Sequence, residues 1–208
     1  MEMTIPEEPD IDSIARVYLE AFPESVEFFF DNCAEERVAR IVSAGFRALW
    51  EAGCRIIVAR EPDAGVLGYC AVALDEAELR TSFLKDGLWL RLTKDLLLRR
   101  IPLRLGEAVR LGANGAAFLF SSLLTLRGEV GGRIFSIAVR RDSRGRGLGR
   151  EMLSRALALV AKKGVKIVRL EVRPENRAAV RLYRSVGFRE VGTVKDLRGP
   201  WLAMEKTL

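Results

Sequence analysis

The sequence predicts an α/β domain, and three local patterns support this fold class. Ile134–Val139 is a short apolar, β-branched run typical of a strand, and a glycine-rich loop leads from it into a helical pattern that ends near Gly164. A second strand-like run, Lys166–Arg173, follows at once, so the helix is expected to join two parallel strands through a right-handed crossover. Upstream, residues 54–61 and 66–74 are strand-like runs separated by a short turn, which predicts an antiparallel hairpin.

Two amphipathic helices are predicted before this hairpin. The first is capped by Asp10 or Asp12, runs to about Phe22 and is ended by Pro23. The second spans Ala34–Ala52, where apolar residues recur at helical spacing and a glycine follows the last turn. The first part of the chain is therefore predicted to contain a short opening strand near Met3–Ile5, then two helices, then two antiparallel strands.

Composition narrows the chemistry. The chain has 208 residues, 49% of them hydrophobic, which is ample for the core of one domain. It contains no histidine, which excludes imidazole bases, His-based triads and most zinc hydrolase schemes, and no metal site is expected. Cys33, Cys54 and Cys70 are odd in number and lack metal-ligand spacing, so we interpret them as reduced, buried thiols. The acidic amino terminus lacks the apolar segment of a signal peptide, and a cytoplasmic location is expected.

The formal net charge is +6, and the basic residues are concentrated in two regions. Residues 80–110 carry eight Lys or Arg and three acidic residues, and residues 133–150 carry six Arg and one Asp. A phosphorylated ligand would explain the second region. Nucleic acid is not expected as a partner, because the first region has a lone Trp89 and no recognised binding motif.

The loop after the first parallel strand has the character of a pyrophosphate site. Alternating glycines let successive backbone N–H groups converge on an anion, the following helix adds its positive end, and arginines supply full charges. Arg150 and Glu151 stand where a nucleotide P-loop needs Lys and Ser or Thr, and the glycine spacing does not fit the dinucleotide pattern either. The residues expected to hold the anion are Arg144, Gly145, Arg146, Gly147, Leu148, Gly149 and Arg150.

This loop resembles the acyl-CoA loop of the GNAT superfamily of N-acetyltransferases. The family pattern is Arg or Gln, two residues, Gly, one residue, and Gly or Ala, which Arg144, Gly147 and Gly149 match. The second strand, a Pro-Glu-Asn segment and the helical run RAAVRLYRSVGF at residues 177–188 follow at the family's spacing. The resemblance implies a single domain over residues 1–208, a mixed six- to seven-stranded sheet with helices on both faces, and acetyl-CoA as co-substrate.

The resemblance also implies roles for residues outside the loop. The backbone of Ile137, Ala138 and Val139 would pair with the pantetheine arm of CoA where the parallel strands splay, and Asn176 would contact the cofactor further on. Tyr183 would face the thioester sulfur and act as general acid, since a phenol can protonate a departing thiolate. A core tyrosine packed beneath the sheet is the structural alternative for Tyr183.

Glu171 is the preferred general base. Strand alternation puts Leu170 and Val172 on one face and Glu171 on the other, where its carboxylate can face a groove. Its spacing to Tyr183 resembles the base and acid of the ribosomal-protein alanine N-acetyltransferases. An ion pair with Arg169, Arg173 or an arginine of the next helix is the structural alternative for Glu171, and Glu129 or water is the alternative base.

The chain departs from a compact member of this family in one insertion, at about residues 75–128. Its first part looks like a basic amphipathic helix broken at Pro102, and the uncharged run 111–126 contains too many polar residues and glycines for a transmembrane span. Three interpretations stay open: helices that cap the acceptor site, a homodimer surface, or peripheral contact with an anionic membrane. Phe28–Phe30, where the family's acceptor site lies, is interpreted as partial core or as a groove wall.

The predicted function is transfer of an acetyl group from acetyl-CoA to a primary amine by direct attack in a ternary complex. A protein amino terminus, a lysine or a small amine is left open as acceptor. Acetylation of a peptide amino terminus is disfavoured, because the segment after Phe188 offers only Trp201 where the alanine acetyltransferases that the chain resembles are rich in aromatic residues. The alternative is a non-catalytic acyl-CoA-binding module whose insertion contacts a partner or a membrane.

Overall fold

The computed structural model describes residues 2–6, 10–31, 33–85, 87–98, 100–125 and 131–208. The strands in this part of the chain are β1 (Glu2–Thr4), β2 (Arg55–Glu61), β3 (Gly65–Ala73), β4 (Gly132–Val139), β5 (Ile167–Val172), β6 (Arg189–Asp196) and β7 (Gly199–Thr207). The α-helices in the same part of the chain are α1 (Ile11–Ala21), α2 (Pro23–Phe29), α3 (Glu35–Glu51), α4 (Glu76–Lys85), α5 (Leu88–Leu97), α6 (Leu105–Thr125), α7 (Leu148–Lys162) and α8 (Arg177–Ser185). The predicted helices before the hairpin, the hairpin itself and the strand–helix–strand unit are confirmed.

The strands form one mixed sheet in the order β1-β2-β3-β4-β5-β7-β6. Only β4 and β5 run parallel among the described pairs, and α7 is the crossover between them, as the sequence predicts. Helices cover both faces. On one face α7 and α8 pack on a core that includes Leu153, Leu170 and Tyr183, and on the other α1 and α3 pack on a core that includes Tyr69 and Ala138.

The seam between β4 and β5 is short and opens at one end. Three residue pairs join the strands, from Gly132 with Val168 to Ile134 with Leu170, and β4 then continues to Val139 without pairing to β5. An irregularity in the β3–β4 register leaves Phe135 without a partner, which is the pattern of a β-bulge and adds local twist. The carboxyl-terminal half of β4 therefore diverges from β5 and leaves a gap in the sheet.

The segment after the first helix differs from the sequence prediction. Pro23 does end α1, because Phe22 N–H closes that helix on the Tyr18 carbonyl, but Pro23 also begins α2. A proline is well suited to the first position of a helix, since the N–H that it lacks would have no intrahelical partner there. Phe28 and Phe29 thus lie on α2, and Phe30 follows it as part of the core.

The inserted region consists of α4, α5 and α6. Pro102 lies between α5 and α6, so the predicted helix is interrupted at that residue. α6 lies against β6 and the β6–β7 turn: Ser121 accepts a hydrogen bond from the Lys195 amide at 2.8 Å, and Asn114 accepts one from the Leu197 amide at 3.1 Å. No helix among the described residues combines the length and the apolar character needed to cross a bilayer.

Candidate functional site

The loop between β4 and α7 presents a row of free backbone donors. Gly145 and Gly147 have positive φ angles of 78° and 81°, and Gly147 is the amino-terminal cap of the 15-residue helix α7. No described protein group accepts a hydrogen bond from the amides of residues 145–150. The first amides of α7 have no intrahelical acceptor, as at the start of any α-helix. A Cβ atom added at either glycine would meet open space, so the concave side of the loop is accessible to a ligand.

The three arginines of this loop are exposed, and protein contacts orient each of them. The Arg144 Nε donates to the Val139 carbonyl at 3.1 Å, and the Arg150 guanidinium donates to Ser185 Oγ at 2.7 Å. Arg146 forms an ion pair with Glu61 on β2. Six free N–H groups, a helix dipole and three arginines therefore converge on one side of α7.

The predicted pantetheine-binding residues lie on the diverging half of β4. Ile137, Ala138 and Val139 pair with β3 on one side, and β5 does not pair with them on the other. Gly68 on β3 lies close to this segment: a Cβ there would come within 2.7 Å of the Ala138 carbonyl oxygen. The geometry leaves the open edge of β4 next to the loop.

Asn176 is the amino-terminal cap of α8. Its side-chain oxygen accepts the Ala179 amide at 3.1 Å, which is a structural role that the sequence analysis did not assign. Asn176 lies between the carboxyl end of β5 and the first turn of α8. The capping role is compatible with a ligand contact by the side-chain NH₂.

Tyr183 lies on α8 and belongs to the core beneath the sheet. Its ring packs against Phe188 with centroids 6.0 Å apart, and burial raises the pKa of its hydroxyl, with the nearby Cys70 thiol acting in the same direction. The sequence analysis named two interpretations for Tyr183, and the burial agrees with both. A phenol with a raised pKa stays protonated and can serve as a proton donor.

Glu171 lies on the opposite face of the sheet from Leu170 and Val172, as strand alternation predicts. One of its carboxylate oxygens contacts the Arg133 guanidinium at 2.9 Å, and the other, Oε1, is buried without a hydrogen-bond partner in the described structure. Arg133 also binds Glu76 at 3.0 Å. Burial raises the pKa of Glu171, and the charge of Arg133 opposes that rise.

The arginines that we expected to compete for Glu171 have other partners. Arg169 pairs with Glu205 on β7, and Arg173 pairs with Asp196 at 2.9 Å. The Glu171 partner is instead Arg133, on the adjacent strand β4. Arg133 is thus the residue that sequence reasoning missed, and the register of β4 against β5 would have been needed to find it.

Residues of the insertion lie over this carboxylate. Phe118 on α6 contacts both Arg133, whose guanidinium lies 5.6 Å from the ring centroid, and Trp201 on β7, with ring centroids 6.4 Å apart. The Ser122 hydroxyl, like Glu171 Oε1, is buried without a partner in the described structure. Two unsatisfied polar atoms therefore belong to the region between α6 and the sheet.

An open cleft of about 510 Å³ lies between α2 and the β6–β7 turn. Its lining residues are Glu24, Glu27, Phe28, Leu197 and Arg198. Phe28 is half-buried and exposed to this cleft, whereas Phe30 belongs to the core, so the aromatic run serves both of the purposes that were left open. Glu129, the alternative base, lies outside the described residues.

Comparisons with known proteins agree with this geometry. Residues 115–188 match the family model described as Acetyltransferase (GNAT) family. The chain is 39% identical over 75 residues to an uncharacterized N-acetyltransferase of Methanocaldococcus jannaschii, covering 36% of this chain and 31% of that protein. It is 46% identical over 57 residues to the [ribosomal protein bS18]-alanine N-acetyltransferase of Escherichia coli, covering 27% of this chain and 38% of that protein.

The matched segments span about a third of the length of these relatives. The fold comparison extends further. The structure of yncA from Salmonella typhimurium, solved with acetyl-CoA, covers 100% of this chain and 94% of its own, with a TM-score of 0.54 and 17% identity. Residues 115–188 are therefore similar to the GNAT family of acetyltransferases, and the chain shares the fold of the solved acetyltransferase structures.

Proposed function

We propose that this chain transfers an acetyl group from acetyl-CoA to a primary amine by direct attack within a ternary complex. The observation that carries the proposal is the loop of residues 145–150, whose six consecutive amides have no acceptor among the described residues and lie at the start of α7. The GNAT family model matches residues 115–188, which include this loop. Acetyl-CoA supplies a thioester whose carbonyl carbon is the electrophile.

The residues present fit the co-substrate. The free amides and Arg144, Arg146 and Arg150 offer the donors and charges that a pyrophosphate needs. The unpaired edge of β4 at Ile137–Val139 offers backbone groups to an extended, amide-containing arm. Both features lie at the same end of the sheet, so one elongated ligand can use them together.

Glu171 is proposed as the base that takes the proton from the acceptor amine. Its free Oε1 supports this role, because a buried carboxylate oxygen without a partner is available to accept a hydrogen bond from an incoming N–H group. Burial raises the pKa of Glu171, and Arg133, which contacts the other oxygen, opposes that rise through its charge and its hydrogen bond. Arg133 thereby orients and tunes the base without touching the reacting atoms.

Tyr183 is proposed as the acid that protonates the departing CoA thiolate, and a backbone N–H near Val139 as a donor to the oxyanion. The base and the acid lie on opposite faces of the sheet. Glu171 is on the face that carries α6, and Tyr183 is in the core beneath the other face. The acceptor amine can therefore approach the reacting carbon from one face while the CoA thiolate leaves towards the other. The proton of the amine passes to Glu171, and the proton of the Tyr183 hydroxyl passes to the thiolate.

The insertion is proposed to cap the acceptor side. α6 contributes Phe118 next to Arg133 and attaches to the β6–β7 turn through Asn114 and Ser121. A helix in this position narrows access to Glu171 from above the sheet. The cleft beside α2 then becomes the approach for an acceptor, which favours a small amine over an extended peptide.

The first test is calorimetric titration with acetyl-CoA. The wild-type protein is compared with an Arg144→Ala, Gly147→Val double variant, which removes a charge and places a β-branched residue at a positive φ angle. Lys162→Ala, at the far end of the same helix, is the matched control. We expect binding by the wild type and the control and at least a tenfold loss in the double variant.

The second test is release of free CoA in the presence of a panel of primary amines. Turnover of any amine that is lost in Glu171→Gln supports the proposal. Tight acetyl-CoA binding with no turnover of any amine would instead favour a non-catalytic acyl-CoA-binding module, and failure of the folded wild type to bind acetyl-CoA would overturn the proposal at its first step.

A further inference from the structure

Five arginines in the described ion pairs keep less than a fifth of the side chain exposed, and one of them has an unusual partner. Four face carboxylates that are themselves only 4–22% exposed. These are Arg37 with Glu107, Arg133 with Glu76 and Glu171, Arg169 with Glu205, and Arg173 with Asp196. Arg198 is only 14% exposed, yet its partner Glu24 is 90% exposed and lies 3.6 Å away.

The Arg198 guanidinium is therefore desolvated without a desolvated counter-ion in the described structure. The Arg198 side chain also donates a hydrogen bond to the neutral Ser25 hydroxyl. A charge that leaves water is stabilised only when an opposite charge and hydrogen bonds replace the lost hydration, and an exposed carboxylate at 3.6 Å replaces little of it. The site is suited to an anion that comes from outside the protein.

The surroundings of Arg198 have the features of a ligand-binding site. Arg198 is the basic residue among those that line the cleft between α2 and the β6–β7 turn, and the others are Phe28, Leu197 and the two glutamates Glu24 and Glu27. Its guanidinium carbon lies 5.8 Å from the Phe28 ring centroid, a cation–π contact that limits the orientations of the planar group. A planar guanidinium presents paired N–H donors that match a carboxylate or a phosphate.

Two sets of contacts link Arg198 to elements of the proposed reaction site. The Arg198 amide donates to Asp196 at 2.8 Å, and Asp196 pairs with Arg173, which follows the end of β5 two residues after Glu171. The Tyr18 hydroxyl is close enough to Arg198 that the arginine charge counteracts the rise in the pKa of Tyr18 caused by burial. Both contacts lie on the face of the sheet that carries Glu171.

We propose that Arg198 binds an anionic group of the acceptor, so that the acceptor class is a small primary amine that also bears a carboxylate or a phosphate. The inference rests on the proposed function, because it describes the second substrate of that reaction. The CoA phosphates have their own arginines and amides at the other site, so Arg198 is expected to leave acetyl-CoA affinity unchanged. Arg198 is thus a specificity-determining residue.

The experiment compares matched acceptors that differ only in the anionic group. L-Amino acids are compared with their carboxamides, and O-phosphoethanolamine with ethanolamine, by thiol release from acetyl-CoA and by calorimetric binding to the CoA-saturated protein. We expect at least tenfold higher kcat/KM for the anionic member of one pair type, and the pair that shows it identifies carboxylate or phosphate. In Arg198→Gln the preference should fall at least tenfold through KM, while the neutral amines are unaffected.

Two controls separate recognition from structural support. Arg110→Gln removes another guanidinium that lies 6.0 Å from the Phe28 ring but does not line the cleft, and the acceptor preference should survive it. Thermal unfolding gives the second readout: Arg173→Gln breaks a buried pair and should lower the melting temperature, whereas Arg198→Gln should not. Arg198→Lys keeps the charge and should restore part of the preference.

Several outcomes would overturn the inference. Equal turnover of acids and amides by the wild type would do so, as would equal losses for both in Arg198→Gln. Binding of acetyl-CoA with no binding of any anionic amine would also refute it while leaving the cofactor site intact. A protein that binds no acetyl-CoA would refute the proposed function itself, which the calorimetric titration with acetyl-CoA detects separately.

Discussion

Arg133 and Glu76 shift the pKa of Glu171 in opposite directions, so removing one or the other should change the pH dependence of the reaction in opposite directions. A carboxylate base works only when it is deprotonated, so kcat/KM falls as the pH drops through its pKa. Burial raises the pKa of Glu171, the charge of Arg133 lowers it, and the charge of Glu76 raises it. We expect the acidic limb of the kcat/KM profile to move to higher pH in Arg133→Gln and to lower pH in Glu76→Gln.

The size of the effect at Glu171 itself is set by general base catalysis. Glu171→Gln should lower kcat/KM by about 10²–10⁴-fold. Glu205→Gln is the matched control, because it removes a carboxylate from the neighbouring arginine pair on the same sheet face and should leave the pH profile unchanged. If both glutamine variants lost activity equally, Glu171 would be a structural ion-pair residue and another group would have to act as base.

Tyr183 is expected to matter through its hydroxyl and not through its ring. Tyr183→Phe keeps the packing against Phe188, so the melting temperature should change little, while kcat should fall by about 10²-fold. The alkaline limb of the kcat profile should also disappear, since burial raises the pKa of the phenol and the variant has no proton to lose. Unchanged kcat in a folded Tyr183→Phe protein would assign the tyrosine to the core alone.

For single residues, the sequence could predict which face of a strand a side chain occupies but not which residue it pairs with. Alternation along β5 correctly separates Glu171 from Leu170 and Val172, because the period of a strand is two. The ion pair with Arg133 depends on the register between strands that are far apart in the chain, and the sequence contains no local signal for it. The same reason explains why Arg198 could not be singled out, since its partner lies on α2.

The ion pair between Arg37 and Glu107 attaches α6 to α3 and makes the docking of the insertion sensitive to acid. Two hydrogen bonds join the side chains, and the bond from Arg37 is the main cause that lowers the pKa of Glu107 to about 2. A carboxyl whose pKa is lower in the folded state stabilises the fold above its ordinary pKa, and this contribution is lost as the pH falls towards about 2.

Glu107→Gln should therefore destabilise the protein at neutral pH, by about 3 kcal/mol because it leaves Arg37 buried without its partner. The difference from the wild type should shrink as the pH is lowered from about 4.5 towards 2, as measured by urea unfolding. Glu78→Gln, which removes an exposed pair with Lys163, should change stability by less than about 1 kcal/mol. A difference that is independent of pH would mean that the pair does not attach the insertion.

Elements were predictable where the hydrophobic period was regular. α1, α3, α7 and the strands of the hairpin follow their patterns closely, and the break at Pro102 follows from proline chemistry. α2 was missed because Pro23 was interpreted only as a stop, although it also fits the first turn of a helix. The position of α6 could not be predicted, since its apolar residues do not form a single stripe that would identify the covered face.

Apart from the three-residue edge strand β1, the described sheet has one short pairing, the seam between β4 and β5. Six residue pairs join β3 to β4 and six join β5 to β7, whereas three join β4 to β5. The seam divides the sheet into an amino-terminal half and a carboxyl-terminal half, connected at that line mainly by the packing of α7 and α8 in the common core. A ligand that binds the loop at residues 145–150 and the open edge of β4 would lie along this seam.

Acetyl-CoA should accordingly stabilise the protein as a whole and not only the loop. Binding to the folded state alone adds about 2.7 kcal/mol at a ligand concentration of 100 Kd, which corresponds to a rise in melting temperature of about 5–10 °C for a chain of this length. Hydrogen exchange should slow along residues 135–139 and 171–173, which flank the gap, as well as in the loop. The Arg144→Ala, Gly147→Val double variant should lose both effects, and Arg198→Gln should keep both. Protection confined to the loop would place the ligand on the phosphate site alone and would remove the basis for bringing its thioester between Glu171 and Tyr183.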